Sequence, residues 1–311
     1  MKFYRLVIAS ALLSLPAISA KAQDEYGRKQ IDTTVRLDRG GVVDLSLISG
    51  KIRVTGWDRP DVKVSASIES GLLRFDANSS RVTLTVEGSD DRPKSRHHNV
   101  GDARYDVSVP RGSRLVLEAV SGDVWSRGSQ GEVEATSVSG DVDIADAVRV
   151  VSAESVSGSV HAAQVNGNLR AETVSGDLRV ETVTGNVEAT SVSGSLRLVG
   201  IQSKDVRTET VSGDIIYSGS IDPGGKYSFE SHSGTIRLNI PRGAGAAFSV
   251  ETFSGDVSTD FPVTTRGSGR GREGRMEFTT GDGRARVTAQ TFSGRIVINS
   301  GSDSTIRRDD E

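Results

Sequence analysis

Residues 135–142 read "ATSVSGDV", and this stretch returns almost unchanged as "AESVSGSV" at 153–160, "AETVSGDL" at 171–178 and "ATSVSGSL" at 189–196. The copies are 18 residues apart. A fixed period of this length is typical of repeat proteins, in which each copy forms one unit that stacks on its neighbours. With the glycine of each Ser-Gly pair taken as position 0, nine copies place it at Gly122, Gly140, Gly158, Gly176, Gly194, Gly213, Gly234, Gly255 and Gly294.

The pattern around these glycines predicts a strand. Position +2 is aliphatic in all nine copies, and position −2 is Val in the first six copies and then His232, Phe253 and Phe292. Position −1 is always Ser, and position −3 is Ser or Thr except at Ala119. Because strand side chains alternate between two faces, we expect positions −2, 0 and +2 to point inward and positions −3, −1 and +1 to point outward.

A weaker half-repeat lies nine residues further on, with Gly131, Gly167 and Gly185 at its centre. Nine residues leave no room for a helix between strands. The sequence therefore predicts an all-β fold, a parallel β-solenoid of about 18–21 residues and two short strands per coil, with each coil stacked on the last. Right-handed winding is favoured by analogy with crossover connections. A β-sandwich or antiparallel stack is the alternative, but its strands need not repeat one sequence.

The spacing of the glycines also predicts which residues of the chain form coils. The steps between them are 18, 18, 18, 18, 19, 21, 21 and 39 residues, so the last step has room for one degenerate copy. We expect residues 111–300 to form the solenoid, with a Gly/Arg insertion at 264–275 and a charged tail at 301–311. Residues 23–110 are expected to form an N-terminal β cap, because solenoid ends need protection from edge pairing. An uncapped end makes self-association possible.

The first 22 residues have the pattern of a signal peptide. Lys2 and Arg5 precede a short apolar run, and Ala20 and Ala22 form an Ala-x-Ala cleavage site. We expect an exported protein, periplasmic or at the cell surface or secreted, with no transmembrane segment after cleavage. An uncleaved membrane anchor is the alternative.

The composition excludes several kinds of chemistry. The chain has no Cys, so disulfides, a lipid-modified cysteine and thiolate catalysis are ruled out. A formal net charge of −3 gives no general case for a nucleic-acid partner. We find no phosphate loop and no nucleophile elbow, and we predict no cofactor.

A metal site is not predicted either. The nine-residue half-period is reminiscent of calcium-binding repeats, but position +1 is Asp in only some copies, Ser or Thr in others and Arg295 in the last. We expect these aspartates to satisfy backbone groups of the turns. His97 and His98 are adjacent and point to opposite sides of an extended chain, and His232 is expected to be an inward corner residue.

An enzymatic function has one candidate in the sequence. Position −4 carries a column of glutamates, and paired carboxylates can act as acid and base in polysaccharide cleavage. The column consists of Glu154, Glu172, Glu209, Glu230 and Glu251. Arg170 and Arg207 are available as counter-charges, and no break in the repeat marks a cleft. We therefore predict a solvated face and no catalytic residues.

Two surfaces are candidates for binding. A polar ladder at the repeated motif would present Thr173, Ser175, Asp177, Thr210, Ser212 and Asp214 to a ligand. The basic run of Arg266, Arg270, Arg272 and Arg275 could contact an anionic polymer.

The motifs also resemble a known family. "VPRG" at 109–112 followed by "AVSGDV", and "IPRG" at 240–243 followed by "TFSGDV", are similar to the bacterial exported β-strand-repeat family of adhesin-like proteins, a domain of unknown function. The resemblance covers about residues 31–300. It implies an exported β-solenoid of the cell envelope and carries over no catalytic residues.

The predicted function is a non-enzymatic, adhesin-like or envelope-associated binding or structural module. Its partner would be an envelope glycan or protein. The alternatives are a carbohydrate-active solenoid enzyme and a periplasmic accessory protein of an envelope-stress or signalling system.

Overall fold

The computed structural model describes residues 29–87, 100–262 and 274–301, and all regular structure in these ranges is β-strand. The strands are β1 (Gln30–Arg36), β2 (Val42–Trp57), β3 (Asp61–Ile68), β4 (Leu72–Ala77), β5 (Arg81–Glu87), β6 (Ala103–Pro110), β7 (Arg114–Arg127), β8 (Val133–Ser137), β9 (Val142–Ala147), β10 (Val151–Ser155), β11 (Val160–Val165), β12 (Leu169–Ser175), β13 (Leu178–Val183), β14 (Val187–Ser193), β15 (Leu196–Ile201), β16 (Asp205–Ser212), β17 (Ile215–Gly219), β18 (Lys226–Ser233), β19 (Ile236–Ile240), β20 (Ala246–Ser254), β21 (Val257–Thr259), β22 (Arg275–Thr280), β23 (Ala285–Ser293) and β24 (Ile296–Ser300).

These strands form a mostly parallel sheet that curls round an axis, which confirms the predicted solenoid. Each central coil has two strands that pair with their equivalents one coil above and below. β12, for example, lies between β10 and β14, with Ala171 opposite Ala153 and Ala189. β13 lies between β11 and β15 in the same way. Equivalent residues therefore form columns along the rod, with about 4.8 Å between neighbouring residues of one column. The handedness stays a prediction.

The glycines at position 0 allow neighbouring coils to approach closely. A Cβ atom added to Gly176 would lie 2.2 Å from the carbonyl oxygen of Gly158, and one added to Gly158 would lie 2.1 Å from that of Gly140. The same close approach recurs from coil to coil along the whole column. The repeated glycine is thus a requirement of the stacking.

The predicted orientation of the motif is wrong on one side of the glycine. Position −3 is buried and position −2 is exposed: Thr173 and Thr210 lie inside the coil, whereas Val174, Val211 and His232 face solvent. The chain turns a corner over positions −2 to +1, so the inward residues on its two sides are −3 and +2. These are an odd number of residues apart, and the strict alternation of a single strand does not continue through a corner.

Most of the buried hydroxyls at position −3 tie one coil to the next, whereas Ser191 Oγ and Thr291 Oγ1 have no hydrogen-bond partner among the described residues. Ser137 Oγ donates to the carbonyl oxygen of Gly122 at 2.9 Å, Ser155 Oγ donates to Gly140 at 2.9 Å, and Thr173 Oγ1 donates to Gly158 at 2.9 Å. Such a hydrogen bond offsets the free-energy cost of removing the hydroxyl from water.

We expect Ser137→Ala to lower the free energy of unfolding by about 1 kcal/mol, because a fully buried hydrogen bond is lost. Ser139→Ala changes an exposed hydroxyl two residues away and is expected to stay within about 0.5 kcal/mol of the parent. Chemical denaturation of both variants measures the difference. Equal stabilities would show that the buried hydroxyl contributes nothing to coil stacking.

A second corner joins each coil to the next. Asp146, Gln164 and Thr182, which are 18 residues apart, all adopt a left-handed backbone with φ between 54° and 56°. The exposed column beside this corner is mixed, since Val148 is followed by polar residues such as Asn166, whose Oδ1 accepts a hydrogen bond from Thr184 Oγ1 at 2.8 Å.

The C-terminal coils do not stack in chain order, contrary to the prediction. β23 pairs with β18 on one side and β20 on the other, and β24 likewise lies between β19 and β21. The last coil of the sequence therefore lies between the two coils that precede it in the chain. The 39-residue step holds no further coil among the described residues; its strand β22 pairs antiparallel with β20 at the end of the stack.

The coils at the N-terminal end also stack out of chain order. β2 is already a full coil, because residues 42–55 pair in register with 114–127 of β7. β5 and β6 pair with the other side of β2 and supply the coil below it. β3, β1 and β4 then add antiparallel strands at this end. The coils thus begin at residue 42, ahead of the predicted start at 111.

Candidate functional site

The most distinctive surface of the rod is the first corner, which we call the ridge. It consists of three parallel columns at positions −2, −1 and +1 over ten coils, in the spatial order given by the glycine contacts. The position −2 column is Ile48, Val120, Val138, Val156, Val174, Val192, Val211, His232, Phe292 and Phe253. The position −1 column is Ser in every coil, from Ser49 to Ser254. The position +1 column is Lys51, Asp123, Asp141, Ser159, Asp177, Ser195, Asp214, Thr235, Arg295 and Asp256.

The position −2 column is apolar and open to solvent. Its aliphatic side chains are 43% to 51% exposed, and Phe253 at its C-terminal end is 76% exposed. Scattered exposed apolar residues are ordinary on soluble proteins, but a continuous line of them marks an interaction surface.

The ridge ends in a stack of three rings. His232 and Phe292 are parallel within 5° with centroids 4.9 Å apart, and Phe292 and Phe253 are parallel within 5° at 4.8 Å. This order, with Phe292 between the other two, follows from the insertion of the last coil. The three rings form the bulkiest part of the ridge.

The aspartates of position +1 hold the corner together, as predicted. Asp177 Oδ1 accepts the backbone N–H of Ser195 at 2.9 Å, and Asp141 Oδ1 accepts that of Ser159 at 2.9 Å. At the N-terminal end Lys51 Nζ lies 3.1 Å from an Asp123 carboxylate oxygen. Across the described ranges, no group of three or more His, Asp or Glu side chains is arranged to hold a metal ion.

The glutamate column lies on the outer face of the first strand of each coil, and two of its members pair with arginines while two others accept hydrogen bonds from serines. Arg170 lies 2.5 Å from Glu172 and 3.1 Å from Glu188, and Arg207 lies 3.5 Å from Glu209. These pairs are half-exposed or exposed, so they are weakly held and solvated. The arrangement is a set of separate solvated contacts on an open face.

A shallow groove lies on the face formed by the second strands of the coils. It lies near the N-terminal end, and Arg53, Lys63, Asp106 and Trp125 are among its lining residues. Asp106 is the one carboxylate in its lining, whereas acid–base cleavage of a glycoside needs two.

Buried tyrosines have displaced pKa values: burial raises the pKa of Tyr217 well above its ordinary value, but its hydroxyl donates to the Ser220 carbonyl inside the core.

The predicted polar ligand face is therefore only partly assembled. Ser175, Asp177, Ser212 and Asp214 are exposed on the ridge, but Thr173 and Thr210 are buried and are no part of that surface. Of the basic run, Arg275 pairs with Glu277 at 2.7 Å, while Arg266, Arg270 and Arg272 lie outside the described residues. Residues 1–28 and the pair His97–His98 lie outside them too. No helix long and apolar enough to cross a membrane occurs in the described parts of the chain.

Sequence reasoning missed the exposed valines because it assigned them to the core. The signal that could have found them is the set of substitutions at the two positions. Leu47 and Ala119 occupy position −3, whereas the ionisable His232 occupies position −2. An apolar residue where the others have Ser or Thr, and a histidine where the others have Val, both indicate that position −3 is the inward one.

The comparisons with known proteins give a family match and several similar solved structures. The family described as Toastrack DUF4097 matches residues 42–299. A search of curated proteins finds no match to the chain. Among solved structures, a proposed adhesin from Bacteroides fragilis is similar at 13% identity and a TM-score of 0.39, with 87% of this chain and 97% of that chain covered. A proposed lipid-binding protein from Parabacteroides distasonis has 12% identity, a TM-score of 0.40 and coverage of 88% and 98%. A proposed cell adhesion protein from Clostridium sporogenes has 11% identity, a TM-score of 0.24 and coverage of 88% and 100%.

Proposed function

We propose that this chain, which belongs to the Toastrack DUF4097 family, is an exported, non-enzymatic binding module of the cell envelope and that the ridge is its contact surface. One observation carries the proposal: a column of nine apolar residues and His232, bordered by serines, runs over ten coils of the rod and is open to solvent throughout. Extended repeat surfaces of this kind are commonly used for binding.

Rigidity supports a binding role. Neighbouring coils are tied together by strand pairing and by the glycine contacts, and several of them also by a hydroxyl at position −3. A partner that contacts such a surface meets side chains already held in place, so little conformational entropy is lost on binding.

The alternative of a carbohydrate-active enzyme has less support. Two of the glutamates that suggested it, Glu172 and Glu209, pair with arginines on an open face, where both charges are solvated. The third possibility, an accessory protein of an envelope-stress system, would use the same ridge as a docking surface and differs from our proposal in the partner alone. The signal-peptide pattern of residues 1–22 supports export in both cases.

We expect the double variant Phe253→Ser/Phe292→Ser to bind envelopes of the source bacterium at least about tenfold more weakly than the parent, because exposed aromatic anchors dominate interface energies. The measurement is co-sedimentation with washed envelopes, using the processed chain, which is the chain that remains after removal of the signal peptide. N-terminal sequencing of that chain is expected to begin at Gln23.

The matched control is Val148→Ser/Val150→Ser, which removes two exposed apolar side chains from the second corner of the same rod. It is expected to bind like the parent. Equal loss in both variants, or none in either, would contradict a role for the ridge. Turnover of envelope polysaccharide that disappears in Glu209→Gln and Glu230→Gln would favour the enzyme instead.

A further inference from the structure

We infer that the partner of the ridge is a second copy of this chain, paired side by side and antiparallel, so that each ridge packs against the other. The inference rests on the proposed function, since it names the partner of that same surface. Its first support is symmetry. A two-fold axis perpendicular to the rod and lying in the interface brings each column opposite its own copy, which is the arrangement of an isologous dimer.

The charges of position +1 select one register. When the ten coils of the two ridges overlap fully, the first coil of one copy faces the last coil of the other, and Lys51 lies opposite Asp256. In the next pair of coils Asp123 lies opposite Arg295. Among the position +1 residues of the ten coils, each end of the dimer therefore gathers two cations and two carboxylates, and Lys51 and Asp123 are already an ion pair within one chain.

The remaining coils agree with the same register. Asp141 faces Thr235, Asp177 faces Ser195, and Asp214 faces Ser159, so no aspartate of this column faces another. Sliding the copies by one coil in either direction loses this complementarity. One shift places Asp123 opposite Asp256, and the other places Lys51 opposite Arg295.

This complementarity depends on the inserted C-terminal coil. Arg295 precedes Asp256 in space, although it follows it in the sequence. Had the coils stacked in chain order, full overlap would have placed Lys51 opposite Arg295 and Asp123 opposite Asp256. The matching of charges is thus a property of the folded rod.

The apolar column fits the same pairing. The two-fold axis passes between Val174 and Val192, which face each other across it, and the ring stack at one end meets Ile48 and Val120 at the other. Behind the ridge, on the glutamate face, Glu154 of one copy lies level with Glu209 of the other. That like-charged pair is set back from the corner, and Arg207 lies 3.5 Å from Glu209.

The size of the surface sets the expected affinity. Ten residues at about 4.8 Å spacing make a column about 43 Å long, and the four residues from −2 to +1 make it about 10–13 Å wide. Two such surfaces bury about 900–1,100 Å² together, which is at the low end of specific interfaces. We therefore expect a dissociation constant on the order of 10 µM, which describes a dimer that forms readily only where the chain is concentrated.

The test is sedimentation velocity of the processed chain alone, over about two decades of concentration around that value. The parent is expected to shift from monomer to dimer. Val174→Asp is expected to weaken the dimer by at least about 30-fold, because carboxylates would be placed against apolar side chains at its centre. Val148→Asp, at the second corner, is the matched control and is expected to dimerise like the parent.

Charge reversal tests the register. Lys51→Glu and Asp256→Lys are each expected to weaken self-association about tenfold, because each places like charges together at both ends. An equimolar mixture of the two variants is expected to dimerise like the parent, as is the chain that carries both changes. Melting curves of the monomers show whether any variant is misfolded. A dimer without this rescue would overturn the antiparallel register.

The two proposals fail separately. If the parent stays monomeric while the ridge variants still lose envelope binding, the second copy is not the partner and the proposed function stands. If the chain dimerises through the ridge but the ridge variants bind envelopes like the parent, the dimer stands and the proposed function is wrong.

Discussion

Gly176→Ala is expected to lower the free energy of unfolding by at least about 3 kcal/mol, although it adds a single methyl group at the surface of a coil. The new Cβ atom would lie 2.2 Å from the carbonyl oxygen of Gly158 and 2.6 Å from its carbonyl carbon. Both atoms are backbone and are held by strand pairing on either side. The coils therefore have to separate at this corner, which also disturbs the hydrogen bond from Thr173 to Gly158.

The control is Gly112→Ala, in the turn between β6 and β7, where an added Cβ atom meets nothing within 4 Å. This change is expected to stay within about 1 kcal/mol of the parent, since Gly-to-Ala at a compatible backbone position is neutral or stabilising. Denaturant unfolding of the two variants gives the comparison. A Gly176→Ala chain as stable as the Gly112→Ala chain would show that the glycine column is not required for close stacking.

The repeat predicted the solenoid because stacking makes the same demand on every coil. The glycine of position 0 must admit the carbonyl of the coil before it, and the aliphatic residue of position +2 must fill the core, so both recur at the coil period. The aspartates of position +1 were predicted to accept backbone N–H groups at the corner, and Asp177 does so, although the N–H belongs to Ser195 of the next coil.

Orientation at the corner was harder to predict, because two rules compete there. Strand alternation assigns Val174 to the core and Thr173 to solvent, and hydrophobicity agrees with that assignment. The corner overrides both, because the turn reverses the inward face between positions −3 and +2. Two of the six residues of the predicted ligand face, Thr173 and Thr210, were misplaced for this reason, and the ridge valines were missed.

The order of the last coils could not be read from spacing. Each coil presents the same pairing edges, so the pattern fits any neighbour equally well. What distinguishes the neighbours is the size of their inward side chains. Val287 lies between Tyr227 and Phe248, and Ala289 lies between Phe229 and Val250. The small residues of β23 separate coils that carry large rings.

A chain that ends after Gly283, and so lacks β23 and β24, is expected to lose the structure of residues 246–280 as well. In a solenoid stacked in chain order, such a deletion would only shorten the rod. Here it removes the coil that joins β20 and β21 to the rest. The loss of Val287, Ile296 and Ile298 alone, which are fully buried, costs on the order of 6 kcal/mol.

Direct docking of β20 onto β18 is not expected to repair the gap, because Phe248 would then be stacked on Tyr227 in a core position that now holds a valine between them. The measurement is hydrogen exchange. The N–H of Ile236 donates to the Arg295 carbonyl at 2.9 Å, so this amide and those of residues 246–259 are expected to lose protection, while those of β12 and β14 keep it. A chain that ends after Gly301 is the control and is expected to exchange like the parent. Full protection of residues 246–259 in the shorter chain would mean that the coil had re-docked, and that the inserted strands only lengthen the rod.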